Sequence, residues 1–139
     1  MVNSELFWLW LVLLFTALLW LPYITQLLIQ NGPKAAMGYG LTDQSMPEWA
    51  QRAKKAHYNA VENLVIFAPS VIVFHQVVGD AQVQIACQAS IYFCARVIHY
   101  FSYMFKVPYV RTLSFFLGWG AQICIFYKIF RLLCPCAST

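Results

Sequence analysis

The sequence predicts an all-α protein, a bundle of four transmembrane helices running up-down-up-down, on three observations. First, 61% of its 139 residues are hydrophobic and only 10% are charged, a composition well outside that of soluble domains of this size. Second, the charged residues are spaced so as to leave long apolar runs; none falls between Glu5 and Lys34. Third, all but one of the links between these runs are short, and short links make consecutive helices antiparallel neighbours.

The first span covers about residues 6–29, long enough to cross a bilayer at roughly 1.5 Å of rise per residue. It does not read as a cleavable signal: the apolar run is too long, its leading charge is acidic, and no small-residue cleavage pattern follows. The segment is expected to remain in the mature protein. The connector over 31–49 contains Gly32, Pro33, Gly38, Gly40 and Pro47 and reads as irregular backbone. A second span, 57–79, has Glu62 as its only charge, and a third, 81–105, has Arg96. Turns at Gly79-Asp80 and Val107-Pro108 separate these from each other and from a fourth span, 111–133. In that last span Gly118, Gly120 and Ala121 form a small-residue surface suited to close helix packing. The whole chain, 1–139, is expected to be a single integral membrane domain with no room for a soluble one.

Lys34, Arg52, Lys54, Lys55, Lys106 and Arg111 flank the first and third connectors, whereas Lys128 and Arg131 lie toward the opposite side. Basic residues near span ends favour the cytoplasm, so these two connectors are placed there and the termini on the far side. The net charge of +4 is accounted for by this anchoring and does not argue for nucleic acid. Of the cysteines, Cys87 and Cys94 lie two turns apart in an apolar helix and read as small hydrophobes, and Cys124 falls in the fourth span. Cys134 and Cys136 lack redox spacing and the histidines of a zinc site, and a lipid attachment there is a weak alternative.

The functional signal is polar. A charge at the centre of a membrane helix costs about 2.5 to 3.5 kcal/mol, so an intramembrane ionisable group marks a candidate site and needs a partner. In the second span Arg52, Lys55, Asn59 and Glu62 follow helical spacing and form one stripe. In the third, Tyr92, Arg96, His99, Tyr103 and Lys106 do the same. Glu62 and Arg96 lie at similar depths on antiparallel neighbours, so a buried ion pair between them is expected, as bundle glue or as part of a site. Lys55, Lys106 and Arg111 converge at the cytoplasmic ends of three helices beside Asn59, His99 and Tyr103. Snorkelling explains any one of these cations, but together they form a basic pocket for a small polyanion or an anionic lipid headgroup. His75 reads as interfacial at the other end. No metal-binding motif, nucleophile elbow, P-loop or dinucleotide turn is present in the sequence.

With these residues in view, RAKKAHYNAVENLVIF over 52–67 and ARVIHYFSYMFKVPYVRT over 95–112 resemble the MAPEG family, the membrane-associated proteins in eicosanoid and glutathione metabolism. The resemblance extends over essentially the whole chain and is nearest to bacterial members of unassigned function, which implies a bacterial inner membrane. It implies a homotrimer of four-helix subunits with glutathione as cofactor, bound between subunits toward the cytoplasm. By motif position it implies that Asn59 and Glu62 hold the glutathione backbone, that Lys55 stands where relatives often have arginine, and that His99 and Tyr103 line the cleft with Arg96 nearby. It also implies that Arg111 stabilises the thiolate, with Thr112 in the place of a neighbouring serine. The chain departs from the family pattern at Tyr58, basic in some enzymes, and at Phe115, where several have tyrosine. Gln26 and Gln30 stand where an arginine is often found, and Val65 replaces a proline, with Pro69 following.

The reading is therefore a membrane glutathione transferase or peroxidase acting on lipophilic small-molecule substrates drawn from the lipid bilayer. The rival from another class is a non-catalytic membrane trimer that binds a lipid headgroup or a partner protein. A transporter or channel subunit is weaker, because the spans show neither repeat symmetry nor paired broken helices.

Overall fold

A computed structural model describes residues 4–38, 45–79, 81 and 83–134. Its elements are α1 (Ser4–Leu18), α2 (Leu21–Ala36), α3 (Glu48–Val77), α4 (Ala86–Met104) and α5 (Pro108–Leu133). There is no strand among the described residues. Taking α1 and α2 as one segment, three segments are long and apolar enough to cross a membrane: Ser4–Ala36, Glu48–Val77 and Pro108–Leu133. α4 is not one of these three; it carries the stripe of Tyr92, Arg96, His99 and Tyr103 and packs against α1, α3 and α5.

The first span is not a single unbroken helix. Pro22 lies in the first turn of α2 and has no N–H to donate back into α1, so the chain turns tightly at Leu19-Trp20. Trp20 keeps helical dihedrals, φ −76° and ψ −23°, so α2 continues roughly where α1 stops. Part of the expected irregular connector is helical too: α2 runs on to Ala36 through a kink at Gly32, whose φ of 76° and ψ of 161° lie outside helical space just before Pro33. Gly40, Asp80, Pro135 and Cys136 lie outside the described residues.

α3 begins nine residues before the expected span, because Pro47 adopts extended dihedrals ahead of Glu48 and the side-chain amide of Gln51 donates to the Met46 carbonyl at 2.8 Å. α4 ends in a Schellman turn, in which the Val107 N–H donates to the Ser102 carbonyl at 2.8 Å and the Lys106 N–H to that of Tyr103 at 3.3 Å. Lys106 takes the left-handed position usually held by glycine, with φ 61°. Pro108 then opens α5, where its missing N–H costs nothing.

Cross-helix contacts establish the alternating direction. Glu5 at the start of α1 meets His75 at the end of α3, at 3.1 Å. Arg52 at the start of α3 donates to the carbonyl of Met104 at the end of α4, at 3.0 Å. Lys128, late in α5, reaches back to Gln84 and Gln88 at the start of α4. The core has two parts. Around Leu9, Val12, Phe67, Phe74, Ile85, Tyr92 and Ile125 it is built of large side chains. Toward the other end, Ala50, Ala53, Ala56 and Ala60 bring α3 close to Leu19, Tyr23 and Tyr100. The outer surface carries many exposed aromatic and aliphatic side chains, as a bilayer-facing surface should.

Candidate functional site

The buried side of α3 passes through Ala53, Ala56, Ala60 and Phe67. The polar stripe on the same helix straddles the edge of that side. Asn59 is half-buried, whereas Lys55 and Glu62 are exposed. The expected ion pair between Glu62 and Arg96 does not form. Glu62 makes no hydrogen bond or ion pair among the described residues, because its position on α3 turns it away from α4.

Arg96 is nonetheless deeply buried, with 3% of its surface exposed. Its guanidinium lies over the Tyr92 and Phe115 rings, 5.4 and 5.5 Å from their centroids. It donates to Asn59 Oδ1 at 3.4 Å and to the Phe115 carbonyl at 3.5 Å, both long contacts, and so joins α3, α4 and α5. Gly118 makes room for it: a Cβ at that position would stand 2.8 Å from an Arg96 nitrogen. The small-residue surface of α5 thus seats a guanidinium as well as a helix. Arg96 acts from beneath the surface, fixing Asn59 rather than presenting its own charge.

His99 is also buried, and its Nδ1 lies 3.1 Å from the Arg111 carbonyl. A carbonyl only accepts, so Nδ1 carries the proton and Nε2 keeps its lone pair. Three buried polar atoms of this cluster lack partners among the described residues: Tyr92 Oη, Arg96 Nε and His99 Nε2. Buried polar atoms are nearly always satisfied, so this concentration makes the region between α3, α4 and α5 the candidate site.

At the surface above it, the exposed Arg111 stacks on Tyr103, with its guanidinium carbon 5.0 Å from the ring centroid. Its guanidinium makes no hydrogen bond or ion pair among the described residues. Tyr103 in turn meets His99 edge-on, at 5.9 Å between centroids. Thr112 is exposed, and its hydroxyl donates to the Pro108 carbonyl one turn back, at 3.1 Å. Within one subunit the candidate residues therefore fall into two groups: His99, Tyr103 and Arg111 together where α4 meets α5, and Lys55 and Glu62 on the open surface of α3. Arg96 and Asn59 connect the two.

Several polar contacts escaped the sequence reading. Tyr23 Oη and His57 Nδ1 lie 3.0 Å apart and tie α2 to α3. The Gln122 amide donates to Ser70 at 3.4 Å, a contact between α5 and α3. Phe115, read from sequence only as a missing hydroxyl, supplies both a ring and a carbonyl to Arg96. Polar residues in apolar runs at Ser70 and Gln122 were the available signal for the second contact; no residue type marked the role of Phe115.

No curated protein and no solved structure matches the chain. The family comparison is positive over nearly its full length: the MAPEG family matches residues 7–131, including every candidate site residue. The helical architecture, the membrane-length segments and this match agree, and the chain belongs to the MAPEG family.

Proposed function

We propose that the protein is a glutathione-dependent transferase or peroxidase, working as a homotrimer on lipophilic electrophiles that reach it from the bilayer. The observation that carries this reading is Glu62, a carboxylate without a partner on a membrane-length helix, with Lys55 on the same open face of α3. Such a charge calls for a partner from outside the subunit. Glutathione has the complementary chemistry: an ammonium group for Glu62, a carboxylate for Lys55, amides for Asn59 and a thiolate for Arg111. Membership of a family that includes glutathione transferases and peroxidases supports the same ligand.

A four-helix subunit is too slim to enclose both a tripeptide and a lipid-derived substrate, so the cleft is assigned to the junction between α3 of one subunit and the α4–α5 edge of the next. His99 and Tyr103 line it, Thr112 borders it, and Arg96 holds Asn59 in place from behind. In the reaction, the glutathione thiol releases its proton to water. Its sulfur then bonds to the electrophilic carbon, and the leaving group departs with the displaced electron pair. Arg111 stabilises the thiolate, and its seat on Tyr103 limits the reorganisation needed. The cleft opens on the side of the connector between α4 and α5, taken as cytoplasmic from the basic residues there.

Native mass spectrometry with glutathione calorimetry tests this reading on wild type, Glu62→Gln and Glu62→Ala. The expected result is a trimer whose affinity falls from wild type to Gln to Ala, the larger loss approaching about 3 kcal/mol, the upper range for a hydrogen bond to a charged group. A monomer under conditions that retain lipid, or equal affinities in all three proteins, overturns it.

A further inference from the structure

At the opposite end of the bundle from the candidate site, a cavity of about 680 Å³ lies between the start of α4 and the end of α5. It is lined by Gln88, Ile123, Cys124, Tyr127, Lys128 and Arg131, among others, and no carboxylate lines it. The lining is overwhelmingly apolar, with the two cations one turn apart on α5.

A lysine near the end of a membrane helix would ordinarily snorkel away to water. Lys128 instead turns along the protein, and its ammonium donates to the Gln84 carbonyl and to Gln88 Oε1, the latter at 3.1 Å. An ammonium has three N–H donors, so this leaves one uncommitted. Arg131 makes no hydrogen bond or ion pair among the described residues, leaving its whole fork of donors open. The chain thus holds an open guanidinium and one spare ammonium donor over an apolar trough at the end of a spanning helix.

We propose that this cavity binds an anionic phospholipid from the surrounding bilayer, with its phosphate on Lys128 and Arg131 and an acyl chain in the trough along Ile123, Cys124 and Tyr127. Charge complementarity identifies the occupant. A zwitterionic lipid brings a cation of its own to the same place, and an uncharged one leaves both donors idle. Nothing in this site depends on glutathione binding at the other end.

Cys124 is exposed in the trough and serves as a native reporter. The experiment places the full-length protein in nanodiscs of dioleoyl phosphatidylcholine, with and without an equal share of dioleoyl phosphatidylglycerol, and follows alkylation of Cys124 by peptide mass spectrometry. Cys94, exposed on α4 but outside this cavity, is the internal control. Phosphatidylglycerol is expected to slow alkylation of Cys124 roughly thirtyfold, the scale set by two basic residues facing an anionic headgroup, while leaving Cys94 unchanged. The double variant Lys128→Gln, Arg131→Gln should abolish the difference between lipids. Equal protection by both lipids would mean that acyl chains fill the trough without headgroup recognition, and would overturn the proposal. Protection independent of lipid, accompanied by a Cys124 cross-link between copies, would assign the cavity to a subunit interface and overturn it equally. Inorganic phosphate added to phosphatidylcholine discs separates headgroup from free anion: it should leave the Cys124 rate unchanged, and protection by it alone would also defeat the lipid assignment.

Discussion

The two ends of the bundle use charge differently. Where α1 starts and α3 ends, Glu5 and His75 meet each other and Lys128 bridges to α4, so most polar groups are satisfied within the subunit. Where α3 starts and α4 gives way to α5, Arg52 is bound to Glu48 and Met104, but Lys55, Glu62, Lys106 and Arg111 carry no ion pair among the described residues. Arg131 apart, the first end is closed by its own side chains, and the other is left open just above a buried polar cluster with three unpartnered atoms. An unsatisfied end in a lipid environment is where assembly and ligand have the most to contribute.

The strongest way to sharpen this contrast is to remove Arg111. A free thiol has a pKa of about 8.5, and lowering it by about two units on binding would make thiolate the main species at neutral pH, an effect worth about 2.7 kcal/mol. Arg111→Ala should lose most of this shift and about 25-fold of the conjugation rate at pH 7, the ratio of the two thiolate fractions, with glutathione binding largely retained. Arg111→Lys should keep part of it, having charge without the planar fork. Thiolate absorbance of the complex across pH reads the shift. Bound glutathione that shows no thiolate at neutral pH in wild type would favour the non-catalytic trimer.

Gly118→Val probes the layer beneath. Its side chain would enter the space of the Arg96 guanidinium, so overpacking should cost about 1 to 3 kcal/mol and lower the melting temperature. Glutathione affinity should fall as well, because Asn59 loses its anchor. An unchanged melting temperature would show that Arg96 has somewhere else to go. Gly120→Val is the control, since a Cβ there meets nothing.

Lys106→Gly removes the left-handed strain at the end of α4 and should stabilise the protein by about 1 kcal/mol, read by thermal unfolding. The smallest effect belongs to the closed end. Glu5→Gln breaks a partly exposed pair with His75, and the loss should stay below about 1 kcal/mol. It should leave glutathione affinity untouched. A large effect on binding from this position would erase the distinction between the ends.

The helices and most of the polar positions were readable from sequence because apolar length and the spacing of charges carry that information directly. Pairing was less readable. Helical periodicity puts Lys55, Asn59 and Glu62 on one stripe, but it does not fix how that stripe is rotated against the next helix. The alanines at 50, 53, 56 and 60 decide this by offering the flattest side of α3 for close approach, which leaves Asn59 facing Arg96 and Glu62 facing out. The break at Leu19-Trp20 was missed in a span read as one helix, although Pro22 marks it, since proline in a long apolar run interrupts a helix. The Schellman turn was not, because lysine is a poor choice for a left-handed residue and only the packing of α4 against α5 imposes it.

The bend in α2 gives the membrane surface an uneven relief. Tyr23 is within side-chain reach of His57, and Arg52 is level with the end of α4. From Tyr23 to Gly32 the chain climbs roughly 13 Å, against roughly 7 Å from His57 back to Arg52. The kink therefore stands above the last turn of α4, and residues 33–38 continue beyond it. In the reaction we propose, a tripeptide from water would descend past this tail of α2, whereas a bilayer-dissolved reactant would arrive sideways between helices, so the two partners would have separate entrances and would not compete for one door.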